Sequence, residues 1–116
     1  MKGRPFHERL RFATDGVREL WRNEQSFRIQ TLLGAGAILV ATLLRPSPIW
    51  WAMLAIVIGL VLVSETVNST VETLADALHP DPHPSIKAAK DMAAGGVLLA
   101  SIAAIVVGLC LILGSL

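Results

Sequence analysis

The chain has no tyrosine, one cysteine and, over long intervals, almost no charge. The single Cys110 excludes an internal disulfide framework and a CxxC redox or zinc site, and in its apolar setting it reads as a small packing residue. No GxxxxGK[ST] occurs, so any nucleotide must be held without a P-loop. Charged residues make up 16% of the 116 positions against 53% hydrophobic ones, and mean hydropathy is +0.61. A water-soluble domain of this size would scatter charge over every surface helix. Here Thr31 to Leu62 contains one charged residue, Arg45, and Met92 to Leu116 contains none. That distribution reads as an all-α membrane protein with a single domain spanning 1–116.

The charge that exists is concentrated. Lys2, Arg4, Arg9, Arg11, Arg18, Arg22 and Arg28 all precede the first apolar segment, which makes a membrane surface the expected charged partner. Glu8, Asp15, Glu19 and Glu24 interrupt the basic residues and no nucleic-acid motif follows, so no nucleic-acid partner is expected. From about 5 to 27, Leu10, Ala13, Val17, Leu20, Trp21 and Phe27 recur at three- and four-residue intervals, with Arg11, Arg18 and Arg22 on another face. This pattern predicts an amphipathic helix lying in the membrane interface. The charged region is too long and lacks the short apolar core of a signal peptide.

Three spans are expected. The first runs 29–44 and stops at Arg45-Pro46-Ser47-Pro48, a turn that a helix cannot cross comfortably. The second opens at Ile49-Trp50-Trp51, with aromatics suited to the headgroup level, and continues without a breaker into ETVNSTVETLADAL, giving 49–78 with an extension beyond the bilayer. Loop 79–85, HPDPHPS, separates it from a third span over 86–116. The Lys and Arg distribution predicts that the N-terminus and this loop lie in the cytoplasm.

Glu65, Asn68, Ser69, Glu72 and Asp76 fall on one stripe of the second helix. Ionisable groups at the end of a membrane span are costly to desolvate and are functional candidates, although a polar seam between helices is the plainer use of such a stripe. Carboxylates seven residues apart stand about 10 Å apart along the axis and can divide proton acceptance from Mg²⁺ ligation. Glu24 is a further candidate ligand if it converges on Glu72. Lys87, Lys90 and Asp91 open the third span, where cations and free N–H groups form a candidate phosphate site. His79 and His83 make a weak zinc pair. Asn68-Ser69-Thr70 matches a glycosylation sequon by accident of composition. Gly34, Gly36, Gly95, Gly96 and Gly108 are expected to permit close helix packing.

ETVNSTVE followed by Asp76, then HPDPHPSIKAAKDMAAGGV, resembles the signature of the small prokaryotic diacylglycerol kinase family, and RFATDGVRELWRNEQSFR resembles that family's interfacial helix. The resemblance implies a homotrimeric helical bundle in the bacterial inner membrane, with active sites shared between subunits. It also implies transfer of the γ-phosphoryl group of ATP, with Mg²⁺, to a lipid hydroxyl. On the matching positions, Glu65 resembles the general base, Glu24 and Glu72 the metal-bridging acids, and Asn68 the residue that orients them. Phe12, Glu24, Glu72, Asp76, Asp81, His83, Lys90 and Asp91 match ATP-contact positions, and Arg18, Trp21 and Arg28 match the lipid-facing side.

Two positions depart from the family's usual pattern: Thr70 stands where a small apolar residue is more common, and Phe12 where tyrosine can occur. An aromatic at Phe12 can still stack on adenine but cannot donate a hydroxyl hydrogen bond. AAGGVLLASIAAIVVGL also resembles members that phosphorylate undecaprenol, so diacylglycerol is the expected acceptor and undecaprenol the alternative. From other classes, a small multidrug exporter needs a carboxylate in the first span, where 31–44 has none. A non-catalytic membrane adaptor would use the stripe for packing alone.

Overall fold

The computed structural model describes residues 2–116; Met1, the first residue of the expected domain, lies outside them. Among the described residues four helices follow one another: α1 (Phe6–Asn23), α2 (Gln25–Leu44), α3 (Pro48–Leu78) and α4 (Pro84–Ser115). The last three are long and apolar enough to cross a bilayer. The chain is an all-α, multi-pass membrane protein.

Proline opens α3 and α4, where its missing N–H costs nothing and its fixed φ favours helix. Between α2 and α3 the chain turns at Arg45, which adopts a left-handed conformation with φ 53° and donates its N–H to the Ala41 carbonyl. Hydroxyls inside the apolar stretches find partners within their own helices: Thr31 donates to Phe27 O, Thr42 to Ile38 O and Thr66 to Leu62 O, each at 2.8 Å. Such back-bonding satisfies these three hydroxyl protons without water.

α3 packs chiefly along α4 and less extensively on α2. The core is thin, built from Ala41, Leu54, Val57 and Leu111 with Trp50 and Trp51 against it. Gly34 lets α2 approach α3, since a Cβ there would stand 3.1 Å from Ile58 Cγ2. The other glycines expected to serve packing, Gly36, Gly95, Gly96 and Gly108, face no atom of this chain within 4 Å of an added Cβ. Gly36 and Gly96 are exposed, whereas Gly108 borders an apolar cavity among α2, α3 and α4. Large apolar side chains line the outside of the bundle, with Ile56, Leu99 and Leu113 exposed by 68%, 70% and 71%. In water such a surface would drive association; hydrocarbon is its natural solvent.

The interfacial helix ends earlier than the apolar period predicts. Glu24 adopts an extended conformation (φ −113°, ψ 102°), closing α1 with its N–H on Leu20 O and opening α2 with its carbonyl accepting from Arg28 N. Phe27, which fits the period of α1, belongs to α2 and is buried in the bundle. Arg28 secures this corner: its guanidinium donates to the carbonyls of Trp21 (2.7 Å) and Arg22 (3.1 Å), groups that the end of α1 leaves without helical partners. No residue of α1 is buried, so the corner and its contact with α2 fix the direction of α1. Arg28→Ala is therefore expected to speed amide exchange at residues 20–24 by about tenfold, the equivalent of about 1.4 kcal/mol, while exchange in α3 stays unchanged; Arg28→Lys should recover only part of the protection.

Candidate active site

α3 leaves the apolar layer without a break. Its uncharged part, Ile49 to Ser64, covers about 24 Å, so Glu65 stands at the edge of the hydrocarbon. The stripe that starts there changes from buried to open along the helix. Glu65 and Ser69 are 4% and 6% exposed, Asn68 is half-buried, and Glu72 and Asp76 are exposed. The Glu65 carboxylate faces the Gln30 side chain of α2 and two other carboxylates, Glu24 at the α1–α2 corner and Glu72 one further turn pair along α3. The structure thus brings Glu24, Glu65 and Glu72 to one region. Neither Glu24 nor Glu72 makes an ion pair among the described residues. Asn68 Oδ1 is buried with no hydrogen-bond partner, an unusual state that marks a place for a donor or cation.

α1 and the polar half of α3 diverge from this cluster and leave a cleft of about 630 Å³. Glu19, Asn23 and Glu24 line it from the α1 side and Thr66, Ser69 and Thr70 from α3. The Asn23 amide donates to Glu19, which fixes both on the α1 wall. A second groove, about 590 Å³, lies where α3 passes into α4. Asp76, Asp81, His83 and Lys90 line it together with His79 and Lys87. Lys90 donates to Asp76 at 2.6 Å across the two helices, and Lys87 donates to Asp91 at 2.6 Å along α4. Both lysines precede the apolar stretch of α4 that begins at Met92. Hydrogen bonding to Asp76 holds the Lys90 ammonium above the ordinary lysine range, and Asp91 does the same for Lys87.

The remaining expected residues are dispersed. Phe12 is half-buried beneath the guanidinium groups of Arg4 and Arg11, 5.6 and 5.7 Å from its ring centre, and lines neither cavity. Arg18 pairs with Asp15 at 3.5 Å on the surface, Trp21 is 44% exposed, and Arg28 is turned back onto the α1 terminus. Gln30 was not singled out by the sequence pattern as a site residue. Its signal was present: it falls three residues after Phe27 and four before Gly34, on the face of α2 that turns inward. No group of three His, Cys, Asp or Glu side chains close enough to enclose a metal occurs among the described residues. Mg²⁺ does not require one, since it is commonly held by one or two carboxylates while phosphates and water complete its shell.

The family model for prokaryotic diacylglycerol kinase matches residues 11–112, which includes every residue lining both cavities. The chain belongs to the prokaryotic diacylglycerol kinase family. A diacylglycerol kinase of Synechocystis is 41% identical over 105 residues, covering 90% of this chain. The chain spans 60% of that relative's own length. The undecaprenol kinase of Bacillus subtilis is 30% identical over 104 residues, 90% of this chain and 85% of that protein. The diacylglycerol kinase of Escherichia coli is 31% identical over 104 residues, 90% and 84% respectively.

Within this family member, the Asp76–Lys90 bond is the polar tie between the exposed ends of α3 and α4. Asp76→Asn is expected to lower the Lys90 pKa toward the ordinary lysine value and to raise its rate of acylation by an amine-reactive probe at pH 9. The sign follows from the cause, because a partner that favours the ammonium withholds the neutral amine that reacts. An unchanged labelling rate at Lys90 would contradict this account of the groove.

Proposed function

We propose that this chain is an ATP-dependent lipid kinase of the bacterial cytoplasmic membrane, with diacylglycerol as acceptor and phosphatidic acid as product. The observation that carries the reading is the buried Glu65 facing Glu24 and Glu72, beside an Asn68 oxygen with no partner. A base at the edge of the hydrocarbon meets a hydroxyl that cannot leave the bilayer. The adjoining open cavities admit a nucleotide that cannot enter it.

In this reading Glu65 accepts the proton of the lipid hydroxyl as that oxygen forms its bond to the γ-phosphorus and the bond to the β-phosphate oxygen breaks, releasing ADP. Phosphoryl transfer asks mainly for alignment and neutralisation of phosphate charge. The donor set fits Mg²⁺: Glu24 and Glu72 offer hard oxygens with no competing ion pair, and bound Mg²⁺ would supply charge neutralisation at the phosphates. Asn68 orients the carboxylate cluster. Lys90, released from Asp76, would meet phosphate oxygens, with Asp76, Asp81, His83 and Asp91 around it and Phe12 on the adenine side. Arg18 and Trp21 would face the lipid headgroup layer, and Arg28 would contribute there by holding the end of α1.

The apolar exterior and the exposed glycines Gly36 and Gly96 support assembly with further copies, as a homotrimer whose sites draw on neighbouring subunits. The positive-inside distribution supports a cytoplasmic N-terminus. The relationship to the Bacillus subtilis undecaprenol kinase favours a second acceptor, the hydroxyl of a long polyprenol. Purified protein in lipid bilayers, given MgATP with diacylglycerol and undecaprenol in parallel, tests both. Turnover of diacylglycerol is expected, and Glu65→Gln should reduce it on the order of 10²–10⁴-fold. Turnover confined to undecaprenol would reassign the acceptor. Near-normal activity of Glu65→Gln would overturn the mechanism.

A further inference from the structure

The groove between α3 and α4 owes its wall to a five-residue sequence, His79-Pro80-Asp81-Pro82-His83, followed by Pro84. Each of His79, Asp81 and His83 precedes a proline, which drives its backbone toward extended conformations; His79 has φ −147° and ψ 76°, and His83 φ −147° and ψ 135°. Three prolines also restrict what the loop samples when nothing is bound. Restricting the backbone does not by itself fix the side chains.

We propose that His79 is the positioning residue of this loop, setting Asp81 and His83 for the nucleotide before it arrives. The proposal rests on the kinase reading above, in which those two residues meet ATP. His79 touches both of them. Its Nδ1–H donates to the backbone carbonyl of Asp81 at 2.9 Å. Its ring packs against that of His83 edge to face, with centroids 5.3 Å apart and planes inclined by 71°.

The tautomers follow from the partners. A carbonyl only accepts, so His79 carries its proton on Nδ1. His83 Nδ1 accepts from Ser85 N at 3.1 Å, so neutral His83 carries its proton on Nε2. His83 thereby caps α4 and keeps its Nε2–H free. His79 keeps Nε2 as a free acceptor and spends its donor on the loop. The two imidazoles therefore have different tasks. His83 presents a donor at the start of α4, next to Lys87 and Lys90, while His79 holds the ring of His83 and the backbone of Asp81 in register. Loss of His79 should cost nucleotide binding and leave the chemical step alone, because neither contact reaches the α3 carboxylates around Glu65.

The test is steady-state kinetics of the full-length protein in bilayers, varying MgATP and lipid separately. His79→Ala is expected to raise KM for MgATP about tenfold, with kcat within about twofold and KM for lipid unchanged. A rise in KM without loss of kcat is the signature of an interaction made equally in ground and transition states. Two further variants divide the contacts: His79→Asn retains a donor near the Nδ1 position, and His79→Phe retains the ring. Each should recover part of the affinity. An unchanged KM for MgATP in His79→Ala overturns the proposal, as does a kcat that falls as far as kcat/KM. If wild type itself turns over neither lipid, the kinase reading fails; if wild type is active and His79→Ala matches it, only the role of His79 fails.

Discussion

A carboxylate at the edge of a hydrocarbon layer is expensive to keep, and the arrangement around Glu65 follows from that cost. The charged form needs water or hydrogen-bond partners, while burial removes the first and limits the second. Glu65 is nearly fully buried and faces a Gln30 amide together with two more carboxylates. Like charges gathered in one place are unfavourable unless something cationic completes them. A cluster that is unfavourable in an empty bundle is what the proposed chemistry would complete, with cationic groups and phosphates arriving together.

The rest of the fold positions this cluster. α3 is 31 residues long and so about 46 Å from end to end, which lets one rigid rod carry its stripe from the oil into water. The break at Glu24 lets α1 turn away from α2, and Arg28 secures the turn by bonding carbonyls that the break exposes. Glu24 sits at the corner itself, so the same residue that ends one helix and starts the next lies within electrostatic reach of Glu65. On the other side, α4 packs along α3, and the Asp76–Lys90 bond ties their polar ends across the loop. The core supporting all this is small because the outer surface is apolar and adapted to hydrocarbon.

Much of this was legible in the sequence for a physical reason: hydropathy and helical period are local properties. The three spans, the interfacial helix and the stripe from Glu65 to Asp76 come from patterns within single segments. The end of α1 was harder, since Leu20, Trp21 and Phe27 keep one period across a break made by the backbone of Glu24 and a guanidinium seven residues from its acceptor. Gln30 lay hidden among apolar neighbours that shared its inward face. The partner of Lys90 depends on how two helices meet, which no single segment encodes, and of the α4 glycines Gly114 meets Trp50 while Gly95, Gly96 and Gly108 have nothing within 4 Å of an added Cβ.

The central claim is that Glu24, at the α1–α2 corner, and Glu72, on α3, act together on a divalent cation brought with nucleotide beside Glu65. Electron paramagnetic resonance of Mn²⁺ titrated into the bilayer-embedded protein, with a non-hydrolysable ATP analogue, tests it without requiring turnover. Tight Mn²⁺ binding that depends on the nucleotide and is lost in both Glu24→Gln and Glu72→Gln is the predicted result. Binding that survives both substitutions would contradict the account.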